Sequence, residues 1–419
     1  TENSVITQQG TDARAVVRQY ASATHAKSIL NQSGNDTRAT VDQDAGGSTS
    51  TIDQAGTHNA TVNQIGTSTS DIDQTNYGNE AAVQQQGGDN NYSRIDQSGR
   101  RADVGTPNNT YTSSEPINNV GVLQDGNDNR SEIDQTGDFV NADVTQTGDD
   151  NVADINQAGN YADAIVVQNG NRNDAYVIRQ DGDGTGIGDD RPALTNAVAD
   201  VDQQGDDNLA NIMQDGVPNT AEIRQGTVGA PVDDNRSDIS QLGADSSGAF
   251  ARTEQNGDEN DSFITQESGS TANVTQTQLG NAYGTRSDRG AGESVRANYS
   301  RISQGVDAGG SDADVTQSGE LNLSTIDQTF GAGDADVMQS GIYNESRITQ
   351  NDAARADVTQ QGDYGDNRSE VTQNLGSNGA FARVVQTGNS TATTYFPSNE
   401  SVITQSADAD ADVEQTGQQ

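Results

Sequence analysis

A five-residue phrase recurs along the whole chain at intervals of mostly ten or eleven residues. It consists of a small residue, any residue, Val or Ile, any residue and Gln, as in Ala39–Gln43, Ser131–Gln135 and Ala142–Gln146. A short repeat with a fixed period stacks one structural unit on copies of itself, so that each unit contacts mainly its neighbours. The repeat therefore predicts one elongated array rather than a set of globular domains.

Composition alone indicates a different kind of chain, because large aliphatic residues are few and the net charge is −41. Chains of that composition are usually disordered. Here, however, Val and Ile recur at one fixed position of the repeat, and both are preferred in strands. A thin core shared by many stacked strands needs only one or two aliphatic residues per strand, so the pattern predicts an ordered β-structure.

The charge balance excludes some classes of partner. There are 63 acidic against 22 basic residues, whereas contacts to nucleic-acid phosphates need Lys and Arg, so no nucleic acid is expected. An acidic surface attracts cations instead. No stretch approaches the roughly 18 apolar residues of a membrane span, so no membrane insertion is expected. The chain has no cysteine, so disulfides are excluded.

The fuller form of the repeat is Asn-x-Ser-x-(Ile or Val)-x-Gln, as in Asn344–Gln350. In an extended strand alternate side chains point the same way, which places Asn344, Ser346, Ile348 and Gln350 on one face. We expect this face to be the inner one, with the intervening residues in solvent.

Turn residues follow each Gln, as in Gln146-Thr147-Gly148-Asp149-Asp150. Glycine adopts positive φ freely, and Asn or Asp tolerate it, so the chain can reverse direction there. Strands of the Ser type and the Ala type alternate, which gives a unit of two strands and about 22 residues. The predicted fold is an all-β, cross-β-like solenoid of about 16 such two-strand rungs, with parallel in-register sheets and no recognisable cap.

Identical inward side chains would then lie above one another, and their amides would hydrogen-bond along the axis. We therefore expect the buried polar groups to be satisfied. The predicted ladder residues are Gln8, Gln54, Gln97, Gln135, Gln146, Gln157, Gln241, Gln266, Gln328, Gln350, Gln373, Gln405, Gln415, Asn129, Asn344 and Asn367.

The period is interrupted in a few places, and five of the six prolines fall there. Proline lacks the N–H that a ladder needs, so these places are expected to be loops that bulge from a single array spanning residues 1–419. The predicted insertions lie near residues 105–119, 183–198, 226–235, 280–297 and 388–398.

The repeat Asn-x5-Gln, followed by x-Gly and iterated in pairs of about 22 residues, resembles the curlin repeat of curli, the bacterial amyloid fibre. Asn129–Gln135 with Gly137, and Asn344–Gln350, carry the resemblance. It implies a secreted protein that polymerises outside the cell, in a biofilm matrix or on the cell surface. A nucleator and a secretion channel are the further partners that it implies.

The two ends of the sequence are in phase with the repeat. The chain starts with Thr1 rather than Met, as a processed export product would, although a truncated chain would start in the same way. The first strand, Ser4–Gln8, is of the Ser type, and the last, Ala411–Gln415, is of the Ala type. Since uncapped strand edges recruit other chains, we expect copies to stack head to tail in an unbounded fibre.

Few residues indicate a separate site. Asp181, Asp183, Thr185 and Asp189 resemble the opening half of a calcium loop, although a plain acidic loop is the alternative. Asp408, Asp410 and Asp412 alternate on one strand face, and are either solvated or bind cations. His25 and His58 are expected at the surface. No catalytic constellation is found, so the chain is predicted not to be an enzyme and to need no cofactor other than a possible Ca²⁺.

Three functions compete. The first is a self-assembling extracellular fibre subunit. The second is a monomeric solenoid that serves as an adhesin or ligand-binding stalk, for which a distinct tip would be expected. The third is a β-helical polysaccharide lyase or hydrolase, which usually holds more aliphatic and aromatic residues and an acid–base pair. The iterated inward ladder favours the fibre subunit.

Overall fold

The computed structural model describes residues 3–20, 24–44, 46–99, 103–104, 121–138, 140–160, 162–181, 197–215, 219–227, 232–242, 248–277, 298–331, 333–362, 367–376, 379–388 and 399–416. Within these ranges the chain forms strands, turns and bends, without a helix, and builds a parallel β-solenoid of about 13 turns. The predicted all-β solenoid is thus confirmed, whereas the number of 16 rungs, each of two strands, stays a prediction.

The chain divides into two compact units. The first comprises residues Thr1–Asp207 and Asn211–Pro218. Its strands are β1 (Asn3–Gln8), β2 (Arg14–Gln19), β3 (Lys27–Gln32), β4 (Arg38–Gln43), β5 (Thr49–Gln64), β6 (Thr69–Gln86), β7 (Tyr92–Gln97), β8 (Asp103–Val104), β9 (Val122–Asp125), β10 (Arg130–Gln135), β11 (Asn141–Thr147), β12 (Val152–Gln157), β13 (Ala162–Asn169), β14 (Asp174–Asp181), β15 (Ala197–Gln204) and the larger part of β16 (Leu209–Asp215).

The second unit comprises Asn208–Ala210 and Asn219–Gln419. Its strands after the start of β16 are β17 (Thr220–Gln225), β18 (Arg236–Gln241), β19 (Phe250–Asn256), β20 (Asp261–Gln266), β21 (Thr271–Thr277), β22 (Tyr299–Asp307), β23 (Asp312–Glu320), β24 (Leu323–Phe330), β25 (Asp334–Ile342), β26 (Glu345–Gln350), β27 (Arg355–Gly362), β28 (Asn367–Gln373), β29 (Phe381–Gly388), β30 (Asn399–Gln405) and β31 (Asp410–Thr416).

Alternation of buried and accessible residues defines the inner face of each strand. In β26, Ser346, Ile348 and Gln350 are buried, and Asn344 just before the strand is buried too. Arg347 between them is exposed. The period of two therefore separates a thin core of Ile, Val and Ala from an outer surface of charged and polar residues, as the repeat predicts.

Strand pairing is parallel and keeps like residues in line. From β10 onward within each unit, a strand pairs with the strand two places further along the chain. In the pair β24–β26, for example, Ile326 lies opposite Ile348 and Gln328 opposite Gln350. Because a slip by one residue would turn the inner face outward, the buried aliphatic residues hold this register.

Glycines in the turns allow successive turns to approach closely. Gly148 has a φ of +109°, and an added Cβ there would overlap the carbonyl oxygen of Gly170 in the next turn of the first unit. Gly126 stands in the same relation to Gly148. These glycines are needed both for their backbone conformation and for the space above them.

Most of the predicted insertions lie outside the described residues. This holds for residues 105–119 and 280–297 in full, and for most of 183–198 and 388–398. Ala197 and Val198 belong to β15 and Gly388 to β29. In the range 226–235, the described Val232 and Asn235 are buried.

Candidate functional site: buried amide ladders

A column of glutamine side chains runs through the interior of the first unit. The Nε2 of Gln124 donates to the Oε1 of Gln146 at 2.9 Å, and Gln146 donates in the same way to Gln168 at 2.9 Å. All three side chains are fully buried. Because the strands are in register, each amide is both donor and acceptor for its neighbours, as in amyloid ladders.

Each glutamine also ties the column to the backbone. Besides Gln168, the Nε2 of Gln146 contacts the carbonyl oxygens of Arg130 at 3.0 Å and Asn151 at 3.1 Å. Arg130 begins β10, and Asn151 directly precedes β12. The Gln146 amide on β11 therefore connects β13, which carries the next glutamine of the column, with β10 and the start of β12 on the other side of the thin core.

The remaining predicted ladder glutamines have the same arrangement within their units. Gln8 is exposed and Gln415 partly exposed, whereas the others are buried. The donor and acceptor pairs are Gln8 to Gln32, Gln54 to Gln74, Gln97 to Gln135, Gln135 to Gln157, Gln241 to Gln266, Gln266 to Gln304, Gln328 to Gln350, Gln350 to Gln373, Gln373 to Gln405 and Gln386 to Gln415.

Asparagines form a second ladder where the turns enter the strands. The Oδ1 of Asn129 accepts from the backbone N–H of Asn151 at 3.1 Å and from its Nδ2 at 3.0 Å. In the second unit, Asn367 Nδ2 donates to Asn344 Oδ1 at 2.8 Å. An asparagine here satisfies a backbone donor that the strand ladder leaves open.

Serines on the inner face behave differently, and the expectation that all stacked polar groups are satisfied is wrong for them. The buried hydroxyls of Ser50, Ser70, Ser93 and Ser131 have no hydrogen-bond partner in the part of the chain that the structure describes. In these strands the reason is reach, because each Oγ is too short to cross the strand spacing of about 4.8 Å, whereas an amide can cross it. In the second unit, by contrast, Ser369 Oγ donates to Ser346 Oγ on the paired strand at 3.3 Å. Ser28 is an exception, since its Oγ donates to Gln43 Oε1 at 2.9 Å.

A ladder of turn residues was missed at the level of sequence. The backbone N–H of Asn127 donates to Asp149 Oδ1 at 2.7 Å, and that of Asp149 to Asn171 Oδ1 at 2.9 Å. The signal was present in the sequence, because Asn or Asp follows the turn glycine at the same phase in each of these repeats. These residues fasten one turn to the next as well as closing each turn.

The outer face carries columns of carboxylates at strand spacing. Asp53, Asp73, Asp96 and Asp134 lie opposite one another on successive strands of the first unit. Partial burial raises the pKa of Asp73, and the neighbouring carboxylates raise it further against the opposing effect of Arg94. Burial and Asp96 likewise raise the pKa of Asp134. The column therefore holds like charges that repel one another at neutral pH.

His58 is buried, so its predicted place at the surface is wrong. It occupies the position that Asn79 fills in the next turn, and its Nδ1 accepts from the backbone N–H of Asn79 at 3.3 Å. Burial lowers the pKa of the imidazole, against a raising effect of the Ala55 backbone. The side chain therefore favours its neutral form in this column.

The proposed calcium loop at Asp181, Asp183, Thr185 and Asp189 lies outside the residues whose side chains are described. Elsewhere, among the described residues, no three His, Asp or Glu side chains form a group suited to a metal ion. Asp410 and Asp412 are exposed on β31, and Asp408 is exposed before it. Among the described residues no helix is long and apolar enough to cross a membrane.

Comparison with known families identifies the repeat. The model of the curlin-associated repeat family matches residues 205–243, which confirms the resemblance carried by the Asn and Gln positions. No curated protein matches the chain. The matched segment includes β17 and β18, whose Gln225 and Gln241 are buried ladder residues. Residues 205–243 thus match the curlin-associated repeat, a family associated with extracellular or cell-surface curli.

Proposed function

We propose that this protein is a structural subunit that assembles head to tail into extracellular, curli-like fibres of a biofilm matrix or cell surface. The observation that carries the proposal is the register of the Gln column. Each turn offers its neighbour the same amide and backbone groups that it receives from the turn before, as between Gln328, Gln350 and Gln373. A face of that kind fits a face of another copy equally well.

Several finer features belong to this proposal. The chain consists of 16 two-strand rungs in a single array, which is supported by the pairing, from β10 onward within each unit, of a strand with the strand two places on. The protein is not an enzyme, and its working residues are the inward Gln, Asn, Ser, Val and Ile. Its principal partner is a second copy of itself, and a nucleator and a secretion channel are further partners. It needs neither nucleic acid nor membrane insertion.

The test is assembly of the purified full chain after dilution from denaturant, followed by electron microscopy and fibre diffraction. Long unbranched fibrils with an axial repeat of about 4.8 Å are expected, and preformed fragments should abolish any lag. Folded particles that remain monomeric at all concentrations would overturn the proposal. That result would favour the alternative of a monomeric adhesin or ligand-binding stalk.

A further inference from the structure

The outermost strand pair of the first unit, β1 and β2, leaves inward-type side chains uncovered. Ile6 is 46% exposed, although Leu30, which lies opposite it on β3, is fully buried. Val17 on β2 is partly exposed, whereas Val41 opposite it on β4 is buried. Both strands thus keep one hydrogen-bonding edge that has no strand against it among the described residues, and an open edge of this kind binds a further strand.

The strand pair β30 and β31 of the second unit has a matching edge. Val413 is partly exposed, whereas Val384, which lies opposite it on β29, is buried. Val402 on the outer face of β30 is 62% exposed. This edge likewise lacks a partner strand among the residues that the structure describes.

The two edges match in sequence. Ser4–Gln8 in β1 and Ser401–Gln405 in β30 are both Ser-Val-Ile-Thr-Gln. Stacked in the register that the chain uses elsewhere, Ile6 would lie on Ile403 and Gln8 on Gln405. Val5, which is 45% exposed, would lie on Val402. One contact would therefore cover aliphatic surface on both edges.

The two edges also match in charge. If Gln19 of β2 stacks on Gln415 of β31, Arg14 lies opposite Asp410 and Arg18 lies opposite Glu414. Within its own chain, Arg14 lies opposite Arg38 and Asp410 lies opposite Phe381. Neither has an oppositely charged residue as its register partner, and the stacking of two copies would supply one on the open edge. The chain already pairs charges between successive strands in this way.

Two such cross-strand ion pairs lie beside the edges. Arg18 Nη1 is 3.1 Å from a carboxylate oxygen of Asp42, and Arg383 Nη1 is 3.4 Å from one of Asp412. Charge complementarity thus selects the register and the order of the strands, which a Gln ladder common to all turns does not select by itself.

We propose that β1 and β2 of one copy add in parallel and in register to β30 and β31 of a second copy, with Arg14 against Asp410 and Arg18 against Glu414. This inference rests on the proposed fibre function and specifies its subunit interface. Arg14 with Asp410 is the pair suited to a test, because neither forms part of the two ion pairs described above. In addition, replacing Arg14 by Glu removes a like-charge contact with Arg38 within the chain, so folding is not impaired.

The experiment compares four forms of the full chain: wild type, R14E, D410R and the double variant R14E/D410R. For each form, elongation from seeds of that same form and the critical concentration are measured at low salt and at 1 M salt. Each single variant places like charges at the junction, so its critical concentration should rise roughly tenfold at low salt and approach that of wild type at high salt. The double variant should polymerise like wild type.

An equimolar mixture of R14E and D410R provides an independent readout. Every junction in an alternating copolymer is complementary, so the mixture should elongate at low salt below the critical concentration of either variant alone. R347E serves as the control, because it makes the same charge change at an exposed position of β26 away from both edges. Circular dichroism of the freshly diluted monomers checks that all forms fold alike.

The outcomes separate the two proposals. If wild type forms no fibrils, the proposed function fails and the interface fails with it. If wild type forms fibrils but R14E and D410R behave like R347E, or the double variant is not restored, the interface is overturned while the fibre function stands.

Discussion

The glutamine and serine columns run through the same turns of the first unit, yet their polar atoms are bonded very differently. Gln146 has an acceptor in the next turn and two on the backbone, whereas the Oγ of Ser131 has none among the described residues. Ala153 takes the place of Ser131 in the following strand, without a change of register. The comparison teaches that buried polarity specifies this fold only where a side chain spans the distance between strands.

The largest effect is expected from a change that disturbs the spacing on which both columns depend. In Gly148→Ala the new Cβ meets the backbone carbonyl of Gly170 at a positive φ, and neither can move without displacing a turn. We expect a loss of at least about 3 kcal/mol in the free energy of unfolding.

Chemical denaturation and hydrogen exchange of β11 and β13 would measure this loss. The matched control is Gly309→Ala, where no atom lies within 4 Å of the added Cβ. Equal stability of the two variants would show that the close approach of the turn glycines does not set the spacing.

Breaking the glutamine column should have the next largest effect. Gln146→Ala removes the Nε2 contacts to Gln168, Arg130 and Asn151, and it deprives Gln124 Nε2 of its acceptor in the column. A cost of about 1–3 kcal/mol in unfolding free energy is expected. Gln9→Ala, at an exposed position next to β1, is the control and should change stability by less than about 0.5 kcal/mol. A Gln146 variant as stable as the control would contradict the role given to the column.

The pH dependence of stability should come from the outer carboxylates and not from either inner column. The pKa values of Asp71, Asp73 and Asp134 are raised in the folded state, chiefly by burial. Since the folded state then binds protons more readily than the unfolded chain, these groups increase stability as the pH falls from neutral towards 4.

His58 acts in the opposite direction, because its folded-state pKa is lowered and stability is lost below the pKa of about 6.5 of an unfolded histidine. In a His58→Asn background the midpoint of denaturation should therefore rise on acidification, and less so with Asp73→Asn added. A midpoint that falls between pH 7 and 4 in this background would contradict the assignment.

The smallest effects are expected in the serine column. Ser131 and Ser28 can be compared directly, because both are buried but only Ser28 has a hydrogen-bond partner among the described residues. Ser131→Ala removes a hydroxyl that has no partner among the described residues, so unfolding free energy should change by less than about 0.5 kcal/mol. Ser28→Ala removes a bond to Gln43 and should cost about 1 kcal/mol. Thermal or denaturant unfolding of both variants measures the loss of unfolding free energy in each. Equal losses would contradict the expectation that the Ser131 hydroxyl is unpaired.

Much of the fold could be predicted because the repeat combines two local signals in a fixed phase. Alternation in Asn344–Gln350 indicates a strand with one inner face, and the Gly-Asp step after Gln146 indicates a turn. The usual preference of histidine for the surface does not predict the burial of His58, but its phase in the repeat does. Phase places it in the Asn column, where it is buried.

The sequence by itself determined which residues share the inner face, since a period of two assigns them without any knowledge of the neighbouring strands. Only the tertiary structure decided which of those residues are bonded. Bonding depends on the distance between strands, and that distance is bridged by Gln146 and Asn129 but not by Ser131. The same holds for the glycines, because the sequence accounts for the positive φ of Gly148 while the clash above it arises only when Gly170 is stacked in place.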